Sequence, residues 1–202
     1  MHTVIVYESM YGDTREIAEA IAEGIHQADP GAAVDCLPVA EADMETTRSA
    51  DLLVVGGPTH MHGMSSGLSR RMAVAAEAHK QDREPAAAEA RETAEGPGLR
   101  AWFHDLPQAG SGACAAAFDT RVDMPRAGGA ANGIARRLSG HHYEMVAEPE
   151  GFIVEDNDGP LRTGELARAR AWGGRAGLTA FGRSEIVAHA HRNSEEHGRR
   201  TR

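Results

Sequence analysis

Two short runs of almost uninterrupted apolar residues constrain the fold of this chain more than any other feature. One is Val4-Ile5-Val6 within His2–Tyr7, and the other is Leu52-Leu53-Val54-Val55 within Asp51–Gly56. Because alternate side chains of a strand point to opposite faces, a strand that is apolar throughout suits a sheet covered on both faces. We therefore predict two central strands of a parallel sheet that is buried between helices.

The segments around these two runs alternate between strand and helix patterns. Ile17, Ile21 and Ile25 are spaced four residues apart and predict an amphipathic helix over Thr14–Gln27. The remaining predicted elements are a strand over Ala33–Val39, a short helix over Glu41–Ser49, a strand over Ala113–Asp119, a strand over Tyr143–Val154 interrupted near Pro149–Gly151, and a closing helix over Thr163–Leu178. This alternation predicts an α/β domain with a doubly wound parallel sheet of about five strands and helices on both faces.

Length and composition limit the domain organisation and the function classes. The 202 residues carry a formal net charge of −9, which argues against a nucleic-acid surface. We predict one domain over residues 1–181, with an acidic Ala- and Glu-rich insertion at about 75–98, and a polar, frayed tail over 182–202. No apolar stretch is long enough to span a bilayer, so a cytoplasmic protein is expected. Cys36 and Cys114 are predicted to be buried, unpaired thiols.

The segment from Glu8 to Thr14 leads directly from the first strand into the first helix. A phosphate placed there would meet backbone N–H groups, the positive end of the helix dipole and the hydroxyls of Ser9 and Thr14. Gly12 lets the backbone pass close to the phosphate oxygens. The Gly-x-x-x-x-Gly-Lys-Ser/Thr run of a Walker loop is absent from the sequence, which disfavours an NTPase. The alternative at this point is that Ser9 and Thr14 are only helix caps.

A second segment, Gly57-Pro58-Thr59-His60, follows the strand that ends at Gly56. Together with Tyr7–Thr14, it resembles the phosphate loop and the first flavin loop of the flavodoxin family. Phe118–Arg121 stands where the second flavin loop of that family follows the fourth strand, and Glu148–Trp172 resembles the last strand and helix of stand-alone bacterial members. The resemblance covers nearly the whole chain outside the acidic insertion and the tail. It implies the strand order 2-1-3-4-5.

The same resemblance implies a site for one FMN, held without a covalent bond. The residues that would surround its phosphate are Ser9, Met10, Tyr11, Gly12, Asp13 and Thr14. The residues that would border the flavin ring are Pro58, Thr59, His60 and Gly63 on one side, and Asp119, Thr120 and Arg121 on the other. The sequence departs from the family in two ways: Tyr11 stands where many flavodoxins have Thr, and neither flavin loop contains Trp or Tyr.

Three functions follow from these residues, and the sequence leaves them open. The first is electron transfer of the flavodoxin type with redox partner proteins, and the second is a small FMN-dependent NAD(P)H:quinone-type oxidoreductase. The third is a flavodoxin-like interaction domain without cofactor. No catalytic side chain and no metal ligand set is predicted. We also expect His60 and Arg121 to favour the reduced, anionic flavin. The alternative is that Arg121 points to solvent or pairs with Asp119, and that His60 only packs on the edge of the ring.

Overall fold

The computed structural model describes residues 1–60, 63–64, 98–123, 129–156 and 158–200. Apart from Gly98, the predicted acidic insertion at 75–98 lies outside the described residues. The strands within residues 1–60 form the first part of a sheet, and the strands within residues 113–154 continue it. Among the helices in the described part of the chain, none combines the length and the apolarity that crossing a membrane would require.

One sheet organises the described residues. Its strands are β1 (His2–Tyr7), β2 (Ala33–Pro38), β3 (Leu52–His60), β4 (Gly63–Met64), β5 (Cys114–Val122), β6 (Glu144–Met145) and β7 (Glu150–Val154). The order is β2-β1-β3-β5, and both β6 and β7 pair with β5 on its outer side. All pairs are parallel except β4, which turns back antiparallel to the end of β3. With β6 and β7 sharing the fifth place, the predicted order 2-1-3-4-5 is confirmed.

The outermost strand position is divided between β6 and β7. Ala115 of β5 is opposite Met145, whereas Phe118 is opposite Glu150. Between these two pairs, β5 advances by three residues and the segment that contains β6 and β7 advances by five. Two extra residues are therefore accommodated between the two short strands. The sequence prediction of an interrupted fifth strand is confirmed, with the interruption at residues 146–149.

In the described part of the chain, five helices cover the two faces of the sheet. They are α1 (Asp13–Ala28), α2 (Met44–Arg48), α3 (Leu99–Asp105), α4 (Ala130–Gly140) and α5 (Glu165–Arg200). One core contains Val4, Val6, Leu53 and Val55 with side chains of α3 and α4. The other contains Ile5, Leu52 and Val54 with side chains of α1 and α5. Because successive residues of β1 and β3 enter opposite cores, both central strands are apolar throughout, as predicted.

Helices α1 and α5 approach each other through glycine. A Cβ added at Gly24 would lie 2.0 Å from the carbonyl oxygen of Arg170, and one at Gly173 would lie 2.5 Å from that of Ile21. The absence of side chains at these positions brings the two backbones into contact. Helix α5 therefore packs directly against α1, in which Ile17, Ile21 and Ile25 are fully buried.

The structure corrects three sequence predictions of secondary structure. Strand β3 continues past Gly56 to His60, and β5 continues past Asp119 to Val122. Strand β3 continues because it stays paired with β5, with Gly56 opposite Phe118 and Pro58 opposite Thr120. A Cβ at Gly56 would lie 2.1 Å from the Phe118 ring, so only glycine leaves room for that ring. Helix α4 was not predicted. Helix α5 ends at Arg200 and not at Leu178, and the division into a domain and a tail stays a prediction.

Cys36 and Cys114 are both free thiols. Cys36 lies on β2 and Cys114 on β5, with β1 and β3 between them. Cys114 is buried and Cys36 is half-buried. Burial raises the pKa of the Cys36 thiol to about 12.

Candidate functional site

A shallow cleft with a cavity volume of about 30 Å³ opens at the carboxyl ends of β3, β5 and β7, beside the start of α1. In a doubly wound sheet, this end of the strands is where ligands bind. The lining residues are Met10, Tyr11, Asp13, Thr14, Pro58, Thr59, Thr120, Arg121, Val122 and Val154. All except Val122 and Val154 are among the site residues predicted from the sequence.

The turn from β1 into α1 forms one wall of the cleft. Gly12 is the N-cap residue of α1 and has a φ of 98° and a ψ of −30°, a conformation that L side chains rarely adopt. Its N–H donates to Ser9 Oγ at 3.1 Å, which closes the turn. Ser9 and Met10 are buried, and Met10 lies against the cleft. The turn is thus tightly folded around the first N–H groups of the helix.

Glu8 anchors this turn to the rest of the fold. Its side chain is 1% exposed and accepts a hydrogen bond from the Leu99 N–H at 2.9 Å, at the start of α3. Its own N–H donates to the Gly56 carbonyl at 3.0 Å. Sequence reasoning missed this role because the partner of the carboxylate lies 91 residues away. A buried carboxylate therefore ties the first wall of the cleft to β3 and α3.

Two threonine hydroxyls meet in the cleft between α1 and β5. Thr14 Oγ1 and Thr120 Oγ1 are 2.7 Å apart, and the two residues are 2% and 5% exposed. Thr14 therefore does not act only as a local helix cap. It joins the phosphate turn predicted from the sequence to the strand predicted to border the ring.

Thr59 and Asp119 bind the start of α4. The Ala130 N–H donates to Thr59 Oγ1 at 2.8 Å, and the Ala131 N–H donates to Asp119 Oδ2 at 2.9 Å. Asp119 is fully buried, and burial raises the pKa of its carboxyl. Thr59 lines the cleft, whereas Asp119 does not. The structure therefore gives Asp119 a role in capping a helix, behind the cleft wall.

Among the described residues that line the cleft, Arg121 is the one with a positively charged side chain. Its Nη1 lies 3.6 Å from Asp119 Oδ1, and its side chain is 30% exposed. The guanidinium lies across Gly151, where a Cβ would be 2.3 Å from Arg121 Cζ. Arg121 therefore pairs with Asp119, which was the alternative left open by the sequence. Gly151 within a strand was the available signal of this close approach.

The other predicted site residues are placed as follows. Ser9 and Gly12 lie within the turn behind the lining, and Gly63 lies in the β3–β4 hairpin opposite His60. His60 ends β3, but its side chain lies outside the described part of the structure. Asp119, Thr120 and Arg121 belong to β5 and not to a loop, because the strand continues to Val122. Val122 and Val154 were missed because they lie beyond the predicted strand end and after the interruption.

The loop after β7 forms a rim that sequence reasoning also missed. Gly159 has a φ of +89°, and a Cβ there would lie 2.7 Å from Asp13 Oδ2. Arg162 Nη1 donates to Asp123 Oδ2 at 2.8 Å, just past the end of β5. The loop thus contacts both α1 and the segment after β5.

Comparisons with known proteins agree with this geometry. Residues 4–70 match the sequence model of the flavodoxin domain, which includes β1, α1 and the β3 segment of the cleft. No protein of curated function matches the chain by sequence.

Solved structures with the same fold cover nearly the whole chain. A flavodoxin from the domain Archaea superimposes with a TM-score of 0.58 at 18% identity, over 89% of this chain and 99% of that one. Oxidised Flavodoxin 1 from Bacillus cereus superimposes with a TM-score of 0.58 at 14% identity, over 87% of this chain and 97% of that one. A flavodoxin, WrbA-like protein from Agrobacterium tumefaciens superimposes with a TM-score of 0.55 at 20% identity, over 90% of this chain and 98% of that one. The chain is therefore a flavodoxin-like protein, with the flavodoxin fold across its described residues and the flavodoxin domain sequence in residues 4–70.

Proposed function

We propose that the cleft binds one FMN and that the protein transfers electrons to and from redox partner proteins. The observation that carries this proposal is the composition of the cleft. It combines a glycine turn at the start of α1 with the hydroxyls of Thr14, Thr59 and Thr120 and the guanidinium of Arg121. A helix start of this kind attracts phosphate through its N–H groups and its dipole.

The residues present fit a mononucleotide phosphate. Gly12 has the positive φ that lets backbone wrap around an anion, and Ser9, Gly12 and Thr14 would hold the phosphate together with backbone N–H groups of the turn. Asp13 also lines the cleft, and its carboxylate would repel a phosphate. That carboxylate lies against Gly159 of the rim, and Arg121 supplies the opposite charge on the β5 side. Pro58, Thr59 and Arg121 would border the rest of the ligand.

When bound, FMN would supply the electron chemistry of the proposed function. The protein would orient it between the α1 turn and the ends of β3 and β5. The buried Met10 and Val154 and the partly buried Pro58 and Val122 would exclude water from the ligand. The Arg121–Asp119 pair would set the local field, because the pair leaves Arg121 only partly available to offset negative charge in the cleft.

The net charge of −9 favours the electron-carrier form of this function. An acidic protein is steered towards basic partners, and steering raises association rates. One sequence feature favours the second candidate, an FMN-dependent NAD(P)H:quinone-type oxidoreductase: neither flavin loop contains the Trp or Tyr that covers the ring in many carriers. The two candidates differ in electron count. A carrier shows two well-separated one-electron potentials, whereas the enzyme cycles two electrons between NAD(P)H and an acceptor.

The first experiment is flavin binding by the purified protein, followed by fluorescence quenching and a redox titration. Gly12→Val should weaken FMN binding far more than riboflavin binding, because the side chain disturbs only the phosphate turn. Gly110→Val is the matched control, since Gly110 has open space around its Cα and lies far from the cleft. Equal loss of both flavins in Gly12→Val would contradict the proposed phosphate site. Failure of the wild type to bind either flavin would favour the cofactor-less alternative.

A further inference from the structure

The contact between Thr14 and Thr120 has a consequence for how the cleft would hold an anion. The two hydroxyl oxygens are 2.7 Å apart, so one proton lies between them, and geometry alone allows either residue to donate it. Both side chains are at least 95% buried and both line the cleft. In a buried hydroxyl pair of this kind, a bound ligand can determine which hydroxyl donates the hydrogen bond and which accepts it.

We propose that Thr120 is a positioning residue for phosphate, and that it acts by donating its proton to Thr14. This rests on the proposed function, in which Thr14 contacts the FMN phosphate. A phosphate dianion offers acceptors only, so Thr14 must donate its own proton to the phosphate. Thr14 Oγ1 can then accept from Thr120, and the order of donation becomes Thr120 to Thr14 to phosphate.

This order strengthens the contact with an anion. A hydroxyl that accepts a hydrogen bond becomes a better donor, and in chains of hydrogen bonds the gain is roughly 10–30% per bond. Fixing the Thr14 rotamer before the ligand arrives also removes part of the entropy cost of binding. Thr120 would therefore add to phosphate affinity without contacting the phosphate.

The position of Thr120 on β5 suits this role. Along a strand, successive side chains alternate between faces. Thr120 points to the same face as Phe118, whose ring lies in the core beneath α1 and α5. Asp119 and Arg121 point to the other face, where Asp119 binds the start of α4. Thr120 and Asp119, which the resemblance grouped together at the flavin ring, therefore lie on opposite faces of β5.

The test is a double-mutant cycle on flavin binding by the full chain, with FMN and riboflavin as probes. The variants are Thr120→Val, Thr120→Ser, Thr14→Val and the double variant Thr14→Val/Thr120→Val. Valine keeps the volume of threonine and removes the hydroxyl, whereas serine keeps the hydroxyl. Thermal unfolding without flavin serves as the folding control.

We expect Thr120→Val to raise the Kd for FMN by about 2- to 5-fold, the change produced when a hydrogen bond to a charged group loses roughly 10–30% of its strength, and to leave the Kd for riboflavin unchanged. Thr120→Ser should bind FMN within twofold of the wild type. In the Thr14→Val background, Thr120→Val should have no further effect, because the hydroxyl through which it acts is gone.

Four outcomes would overturn the inference. Equal weakening of FMN and riboflavin by Thr120→Val would mean that Thr120 shapes the ring site. Additive effects in the double variant would mean that Thr120 contacts the phosphate itself. Unchanged FMN binding in Thr120→Val would mean that the hydroxyl contact is only structural, with the proposed function left standing. Absence of FMN binding by the wild type would overturn both proposals.

Discussion

Replacing Gly24 by Ala should destabilise the protein, although alanine is the better helix former. A Cβ at this position would lie 2.0 Å from the Arg170 carbonyl oxygen, 2.7 Å from its carbon and 2.8 Å from its Cα. All three atoms are backbone, so no side-chain rotation relieves the overlap. Since Cβ contacts below 3.0 Å are essentially never seen, α1 and α5 must move apart by about 1 Å.

The magnitude follows from two opposing terms. Gly→Ala inside a helix gains up to about 1 kcal/mol from helix propensity. Overpacking of a tight contact costs about 1–3 kcal/mol, and a gap of 1 Å forfeits up to about half of the dispersion energy at the contacts it opens. Ile21, Trp172 and Ala176 belong to the core beneath this interface and would share that loss. We expect a net decrease of about 1–2 kcal/mol in the free energy of unfolding.

The assay is urea unfolding of Gly24→Ala, with Gly182→Ala as the matched control. Gly182 lies in α5 with nothing within 4 Å of its added Cβ, so the control gains the helix propensity without the overlap. The control should be stabilised by about 0.5–1 kcal/mol. If Gly24→Ala is as stable as the control, the backbone contact between α1 and α5 does not have the close geometry described.

Three further predictions concern buried titratable groups. Because burial raises the pKa of Asp119 above its unfolded value, the wild type should lose stability as pH rises from about 4 through the folded pKa, and Asp119→Asn should abolish that loss in pH-dependent urea unfolding. Gly151→Ala should push the Arg121 guanidinium away and raise the Asp119 pKa further, as NMR titration of the carboxyl would report. The Cys36 thiol, with its pKa raised from 9.0 to about 12, should react with iodoacetamide at pH 8 about 1,000-fold more slowly in the folded than in the unfolded protein; a ratio near one would contradict its burial.

The central part of the fold was predictable because its signals are local. Strand β1 has the predicted bounds His2–Tyr7, since a short apolar run between polar residues has few alternatives. Ile17, Ile21 and Ile25 identified the buried face of α1 from spacing alone. The phosphate turn was visible because Gly12 lies between a strand end and a helix start.

The parts that escaped prediction depend on distant partners. Strand β3 was predicted to end at Gly56, yet it continues because its residues stay paired with β5, a strand about 60 positions further along the chain. Helix α4 has no side-chain cap of its own at Gly129, and its first N–H groups bind Thr59 and Asp119 from two strands. No window of sequence around α4 contains these acceptors. The same holds for the hydroxyl contact of Thr120 with a residue 106 positions away.

The two outer borders of the sheet bear on the behaviour of the protein at high concentration. An exposed strand with a straight row of free backbone groups can template pairing between molecules, which leads to aggregation. On one border, β6 has two residues and β7 has five, and the two extra residues between them interrupt the row. On the other, β2 contains Asp35 and ends at Pro38, which has no N–H to offer. Among the described residues, both borders are short and the one formed by β6 and β7 is interrupted, which limits the row of backbone groups available for pairing with a second molecule.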